Sequence, residues 1–139
     1  LPNAKIIDAR RNPMDCCFSN YKQLFGSGQG FTYSLNRIAN YYIEYIDLMN
    51  HWEKVLPGKV HRVVYEDMVR DTKNEIEKLI EFCGFEIEAD CFQFYKNKRA
   101  VRTPSSEQVR QPIYSKGIGY WKNFEEWLTP LKEILEKHG

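Results

Sequence analysis

Residues 6–21 read IIDARRNPMDCCFSNY, and this stretch decides the fold. The apolar run over residues 5–9 predicts a short buried strand, because it breaks off at two consecutive arginines. Asn12 suits the position that caps a helix, and Pro13 suits the first helical position, where its missing N–H carries no penalty. A helix is therefore predicted over residues 13–25. A strand that turns tightly into a helix, with cations at the turn, is how α/β proteins build anion sites.

Composition and charge indicate one folded domain over residues 1–139. Hydrophobic residues make up 42% of the chain and aromatic residues 14%, which is typical of a protein with a packed core. The net charge is only +1, which disfavours nucleic acid as a partner. The charge is uneven, since residues 66–90 hold nine acids and three bases, and residues 96–122 hold seven bases and one acid. The basic segment predicts either a local anion site or a solvated face.

The cysteine pattern gives no sign of a metal site or a disulfide framework. No CxxC pair and no Cys/His cluster with zinc spacing occurs in the sequence. The four cysteines are therefore expected to be reduced and mostly buried, and they are Cys16, Cys17, Cys83 and Cys91. No run of residues approaches transmembrane length, so no membrane segment is predicted.

The spacing of apolar residues predicts the remaining elements. They are a helix at residues 32–55, a strand at 60–65, a helix at 72–83, a short helix at 90–97 and a last helix from residue 130. Thr72 and Glu75 suggest a capping box, and Thr129 is expected to cap the last helix. The predicted class is α/β, predominantly helical, with two short parallel strands.

Two features look like ligand sites but have simpler explanations. The glycine-rich residues 26–30 follow no strand and lack the GxxxxGK[ST] pattern, so a flexible connector is favoured over a phosphate cradle. Tyr41, Tyr42 and Tyr45 recur at helical spacing, which is more typical of a core face than of a pocket.

Two groups of polar residues carry the predicted chemistry. Arg11, at the strand end, and Ser19, on the following helix, can reach one anion if the turn is tight, and a guanidinium with a hydroxyl suits phosphate. Arg10 is expected to turn away or to pair with an acid. Residues 102–114 alternate hydroxyls, amides and cations within the irregular segment 98–120. This segment predicts either a loop that wraps a polyphosphate-like ligand or a mobile, solvent-exposed loop.

Three motifs, in order along nearly the whole chain, resemble those of the sulfotransferases. They are residues 7–19 with Arg11-Asn12-Pro13, Asp15 and Ser19; residues 64–67, which read VYED; and residues 102–121, with RTPS, QV, QPIY and GYW. The likeness is strongest to tyrosylprotein sulfotransferases and to bacterial sulfotransferases that often carry tetratricopeptide repeats. It implies a partial P-loop-type sulfotransferase fold. It also implies sulfuryl transfer from 3′-phosphoadenylyl sulfate (PAPS) to a hydroxyl acceptor.

The resemblance also implies roles for individual residues. Arg11 and Ser19 would hold the 3′-phosphate of PAPS, or of the product adenosine 3′,5′-bisphosphate, and Tyr65 would contact the adenosine. The late loop would close over the nucleotide, and the residues implied there are Ser105, Ser106, Gln108, Val109, Arg110 and Lys116. Relatives often place a basic residue just before the tryptophan, where this sequence has Tyr120. Lys116 or Lys122 would substitute for that residue.

The family's P-loop-like segment and its catalytic residue have no counterpart in this sequence. The chain is therefore expected to be the C-terminal half of a sulfotransferase domain, with its catalytic residue unknown and little turnover alone. Glu66 and Asp67 are expected to cap or pair, and His61 to be structural. An open sheet edge predicts a homo-oligomer or a swapped arrangement.

Two other functions stay open from the sequence, a non-catalytic nucleotide-binding module and a helical interaction scaffold whose basic loop binds an acidic partner. The acceptor also stays open among a tyrosyl peptide, a carbohydrate and a small phenol. Reduced thiols favour the cytoplasm, whereas the tyrosylprotein enzymes work in a secretory lumen, so the compartment is left open.

Overall fold

The computed structural model describes residues 3–102 and 106–138. Its strands and α-helices are β1 (Ile6–Arg10), α1 (Pro13–Lys22), α2 (Leu35–Val55), β2 (Val60–Val64), α3 (Tyr65–Arg70), α4 (Thr72–Cys83) and α5 (Thr129–His138). Short 3-10 helices occupy Gly30–Tyr33, Ala89–Lys96, Gln108–Arg110 and Tyr120–Leu128. β1 and β2 pair in parallel, with Ile6 opposite Val60 and Arg10 opposite Val64. The predicted class, mostly helical with two short parallel strands, is confirmed.

The turn between β1 and α1 is built as its sequence predicts. The side-chain oxygen of Asn12 accepts hydrogen bonds from the amides of Met14 (3.0 Å) and Asp15 (3.3 Å), and Pro13 opens the helix. These bonds satisfy amides that have no partner inside the helix. α1 ends at Lys22, earlier than predicted, because Gln23 adopts an extended conformation (φ −79°, ψ 124°).

The core lies where α1 and α2 meet α5 and the 3-10 helix before it. Its buried members are Met14, Cys17, Phe18, Ile38, Ala39, Leu128 and Leu131. Tyr42 packs against this cluster as its helical spacing predicts, and the hydroxyl of Tyr45 donates to buried Asp8. The core prediction is wrong for Tyr41, which is 53% exposed and stacks on Phe31 with the ring centroids 4.0 Å apart.

The middle of the chain differs from its prediction at the starts of two helices, α3 and α4. Tyr65 begins α3, which was not predicted, instead of ending β2. The capping box is also wrong, since Asp71 caps α4 by accepting from the amide of Asn74 at 3.3 Å. The Thr72 hydroxyl instead donates back to the Met68 carbonyl (2.7 Å), because α3 ends directly before it.

Two helices after α4 differ from their predictions, one in its start and one in its type. The 3-10 helix Tyr120–Leu128 runs directly into α5, so Thr129 is the first residue of α5 and not its cap. Its hydroxyl donates to the Glu126 carbonyl at 3.3 Å. The helix predicted at residues 90–97 is a kinked 3-10 segment, Ala89–Lys96.

The cysteines are all free, but only Cys17 is buried, so the expectation that most are buried is wrong. Burial raises the pKa of the Cys17 thiol to about 12. Among residues 3–102 and 106–138, no cluster of potential metal ligands occurs. In the same described part of the chain, no helix combines the length and apolarity that a membrane span requires.

The charged and histidine side chains of the strands have structural partners. Arg10 donates to Asp8 at 2.7 Å, which confirms that it pairs with an acid. His61 stacks on Phe82 of α4 with the ring centroids 4.9 Å apart, in agreement with a structural role. β1 and β2 are therefore held in place by side-chain contacts to α2 and α4 as well as by the backbone hydrogen bonds between them.

One face of β1 is uncovered. Asp8 is 5% exposed on the face covered by α2, whereas Ile7, on the opposite face, is 47% exposed and Ala9 is exposed as well. α4 packs on this side over β2, through the contact of Phe82 with His61. Parallel sheets are normally covered on both faces, so an exposed apolar strand favours association.

The chain alone is expected to self-associate through this face of β1. Sedimentation velocity should show a concentration-dependent shift toward a species heavier than the 16.5 kDa monomer. The substitution Ile7→Lys places a charge on the uncovered face and should return the chain to a monomer. A monodisperse monomer across the concentration range for the unsubstituted chain would contradict this expectation.

Candidate functional site

A cavity of about 230 Å³ lies where the end of β1 and the outer side of α1 meet the segment that leads into the 3-10 helix Tyr120–Leu128. Its lining residues are Arg11, Asp15, Phe18, Ser19, Lys22, Tyr65, Gln108, Tyr114, Gly117 and Tyr120. They come from parts of the chain more than 100 residues apart. The cavity is therefore a product of the tertiary fold and not of one loop.

Arg11 is the central cation of this cavity. Its side chain is 26% exposed, one terminal nitrogen donates to the Gly117 carbonyl, and its Nε is buried without a partner within the described part of the chain. The guanidinium also lies over the ring of Tyr65, 5.3 Å from the centroid. These contacts fix the planar fork at the cavity, which preorganises it for an anion.

Gly117 allows this close approach. A Cβ atom on this residue would lie 2.7 Å from Nη2 of Arg11, so the end of the arginine side chain would have to shift. The missing side chain at Gly117 therefore leaves room for the guanidinium in the position that it occupies.

Asp15 holds the late segment to the first helix. Its side chain is 1% exposed, Oδ2 accepts from the amide of Gly119 (2.6 Å), and Oδ1 accepts from the amide of Trp121 (3.2 Å). Nη2 of Arg11 lies 3.9 Å from Oδ1. The carboxylate is thus satisfied by backbone donors, and it anchors the segment 117–121 over the N-terminal turn of α1.

Tyr65 connects the second strand to the same segment. It is the first residue of α3, and its hydroxyl donates to the Tyr114 carbonyl at 2.5 Å. Burial, with a smaller contribution from Tyr114, raises the pKa of the Tyr65 phenol. The phenol is therefore neutral near pH 7, and its ring forms one wall beside Arg11.

Ser19 and Lys22 present the polar side of α1 to the cavity. They are three residues apart, which places them on one face of the helix. The ammonium of Lys22 lies 4.7 Å from the ring centroid of Phe18 and 4.2 Å from that of Tyr120. Two aromatic rings therefore hold this cation in place at the edge of the cavity.

The charged groups of the lining favour an anion. Arg11 and Lys22 are cations, and Asp15 is the one acid among the lining residues in the described part of the chain. The oxygens of Asp15 already accept amide hydrogen bonds, so its charge is partly offset. A serine hydroxyl beside two cations suits a phosphate group.

A larger cavity of about 350 Å³ lies on the other side of Arg11, between β1, α1 and α2. Its walls are mostly apolar and include Tyr41, Tyr42 and Ile38. The acid and one of the arginines that line it, Asp8 and Arg10, pair with each other at 2.7 Å. Its chemistry therefore does not favour a highly charged ligand, and the smaller cavity is the candidate anion site.

Sequence reasoning and structure coincide at four lining residues, Arg11, Ser19, Tyr65 and Gln108. The structure does not bring four other candidates into the lining, and these are Ser106, Val109, Arg110 and Lys116. Arg110 instead donates to the Arg99 carbonyl at 2.5 Å. Ser105 lies outside the described residues. The ligand roles of these residues remain predictions.

Sequence reasoning missed Lys22 and the function of Asp15. The signal for Lys22 was present, because a residue three positions after Ser19 shares its helical face. Asp15 also carried a signal, since it lies between apolar residues on a face that is otherwise buried, and a buried acid needs donors.

The nearby acids that might serve as catalytic bases have structural partners. Oε1 of Glu66 accepts from the amide of Asn12 at 2.9 Å, and Asp67 pairs with Arg70 at 2.6 Å. Neither acid lines the cavity. This confirms that they cap or pair.

Comparison with known proteins gives a family match and three informative relatives. A model of the sulfotransferase family matches residues 1–89. An uncharacterized protein of Aquifex aeolicus (strain VF5) is 36% identical over 140 residues, which cover 99% of this chain and 18% of that protein. Sulfotransferase 1E1 of Mus musculus is 29% identical over 160 residues (98% of this chain, 54% of that protein). Sulfotransferase 1E1 of Cavia porcellus is 31% identical over 109 residues (68% and 36%). The chain thus spans about half the length, or less, of these relatives.

Proposed function

The chain belongs to the sulfotransferase family, and on this premise we propose that its 230 Å³ cavity binds the nucleotide of PAPS. Members of the family generally use PAPS as the sulfuryl donor. The protein to which this chain belongs then transfers the sulfuryl group to a hydroxyl acceptor, and adenosine 3′,5′-bisphosphate is the product nucleotide.

The arrangement of Arg11 is the observation that carries this proposal. Its guanidinium is fixed by the Gly117 carbonyl and by the ring of Tyr65, and Ser19 of α1 lines the same cavity. A fixed fork of donors beside a hydroxyl matches the oxygens of a phosphate. The 3′-phosphate of the nucleotide is the group assigned to this pair.

The contribution of these residues to the reaction is positioning and charge. Sulfuryl transfer, like phosphoryl transfer, depends on holding donor and acceptor in line and on stabilising negative charge. Arg11 and Ser19 hold the nucleotide by its 3′-phosphate, and the ring of Tyr65 provides a flat wall for the adenosine. The segment tied down by Asp15 covers the nucleotide and limits its motion.

Calorimetry with adenosine 3′,5′-bisphosphate tests the proposal directly. The chain is expected to bind this nucleotide more tightly than adenosine 5′-monophosphate by about tenfold or more, because only the bisphosphate fills the Arg11 site. Equal affinities for the two nucleotides would contradict the assignment of the 3′-phosphate. A helical scaffold that binds acidic partners predicts no nucleotide binding at all. A non-catalytic nucleotide module predicts binding without sulfuryl transfer from PAPS by the full-length protein.

A further inference from the structure

Lys22 lines the cavity together with Arg11, and its own partners are two aromatic rings. Lys78 and Lys132 each lie 2.7 Å from a glutamate oxygen. In the described part of the chain, Lys22 contacts the rings of Phe18 and Tyr120 and pairs with no acid. Its charge is therefore oriented by the two rings but not neutralised, at the edge of a cavity suited to an anion.

The two rings that hold Lys22 have unequal freedom. Phe18 is buried in the core (6% exposed), whereas Tyr120 is 41% exposed and follows Gly119, whose amide is bound by Asp15. The ring centroids of Phe18 and Tyr120 lie 6.2 Å apart, with an interplanar angle of 21°. Tyr120 thus extends the aromatic surface of the core outward to the cavity, where it contacts the lysine.

We propose that Lys22 is a phosphate-binding residue of this cavity, with Tyr120 as the positioning residue that orients its ammonium. The inference rests on the proposed function. Tyr120 occupies the position before Trp121, and the lysine that it contacts adds a cation from α1 to the site. Lys22 and Ser19 share one helical face, with their Cβ atoms about 5–6 Å apart. The group that Lys22 serves is therefore the same phosphate that Ser19 and Arg11 hold, the 3′-phosphate.

The test compares two nucleotides that differ only in the 3′-phosphate. In calorimetry at constant ionic strength, Lys22→Gln should weaken the binding of adenosine 3′,5′-bisphosphate about 5- to 20-fold. The effect is smaller than for a buried cation because the side chain is exposed. The same variant should change the affinity for adenosine 5′-monophosphate by less than about twofold, because that ligand lacks the group that Lys22 contacts. Lys22→Arg keeps the charge and should stay within about threefold of the unsubstituted chain.

Lys132→Gln is the matched control. Lys132 also lies over a ring of the C-terminal segment, 5.9 Å from the centroid of Trp121, but it pairs with Glu125 and does not line the cavity. Its substitution should leave both nucleotide affinities unchanged. An equal effect of Lys22→Gln and Lys132→Gln would show that only overall charge matters, and it would overturn the proposal.

Tyr120 gives a second, independent readout. Tyr120→Phe keeps the ring and should preserve the affinity for the bisphosphate. Tyr120→Leu should weaken the binding of the bisphosphate but not that of adenosine 5′-monophosphate. The double variant Tyr120→Leu/Lys22→Gln should bind the bisphosphate no more weakly than Lys22→Gln alone, because both substitutions remove the same interaction. Additive losses would overturn the positioning role.

The outcomes also separate this inference from the proposed function. If Arg11→Ala abolishes binding and Lys22→Gln leaves it intact, the role of Lys22 is wrong and the nucleotide site stands. If the unsubstituted chain binds no bisphosphate, both are wrong.

Discussion

Arg11→Ala is expected to weaken the binding of adenosine 3′,5′-bisphosphate about 10- to 100-fold, which corresponds to the loss of a charge-assisted hydrogen bond. The loss is large because the guanidinium is prepositioned by Gly117 and Tyr65, so little entropy is spent in ordering it. Nε of Arg11 is buried and has no protein partner in the described part of the chain, so the protein does not satisfy every donor of this side chain. Calorimetry measures the affinity, and thermal unfolding of the variant confirms that it remains folded.

Two further variants show whether the geometry of Arg11 matters as well as its charge. Arg11→Lys keeps one positive charge but loses the planar fork, so it should recover only part of the affinity. Gly117→Ala keeps the arginine but adds a Cβ that would lie 2.7 Å from its Nη2, so the guanidinium must shift and binding should also weaken. Arg70→Ala is the control, because Arg70 is an exposed arginine paired with Asp67 on α3. If Arg70→Ala and Arg11→Ala have equal effects, Arg11 does not bind the nucleotide.

The first part of the site could be predicted because its determinants are local. Asn12 caps α1 through the amides of Met14 and Asp15, which lie two and three residues away. Pro13 at the first helical position and an arginine at the strand end are visible in the sequence itself. The strand, the turn, the helix and the positions of Arg11 and Ser19 therefore followed from short-range rules.

The rest of the site could not be predicted because it depends on contacts between distant segments. Asp15 and the Gly119 amide are 104 residues apart, and Tyr65 and the Tyr114 carbonyl are 49 apart. No periodicity specifies such pairs. The sequence of the basic loop likewise gives its residue types but not the directions of its side chains. In the structure Arg110 donates to the Arg99 carbonyl, whereas Gln108 lines the cavity.

α3 illustrates a different reason for a missed element. It has only six residues, Tyr65–Arg70, and starts directly at the end of β2, so its pattern is too short to separate from a strand end. Its position matters for the site, since it directs Tyr65 toward Arg11 and lets Glu66 accept from the Asn12 amide. The sequence pattern ends the strand one residue too late, so it misses the helix that orients Tyr65, although the family resemblance assigns Tyr65 to the nucleotide.

Asp15→Ala is expected to lower the free energy of unfolding by about 2–4 kcal/mol, since two partly buried amides lose their acceptor and each unsatisfied group costs about 1–3 kcal/mol. The affected amides are those of Gly119 and Trp121, so the loss is concentrated in the segment that covers the cavity. Urea unfolding measures the total effect. Hydrogen exchange at the two amides should rise in the variant even under native conditions.

Asp47→Ala is the matched control for this substitution. Asp47 is an exposed acid whose partner is His138 at 3.2 Å, and its removal should change stability by less than about 0.5 kcal/mol. Asp15→Asn keeps the shape of the side chain but offers one acceptor oxygen for two amides, so it should fall between the other two variants. Because Gly117, the partner of Arg11, belongs to the segment that Asp15 anchors, Asp15→Ala should also weaken bisphosphate binding. A destabilisation no larger than that of Asp47→Ala would show that the segment is held over the cavity by other contacts.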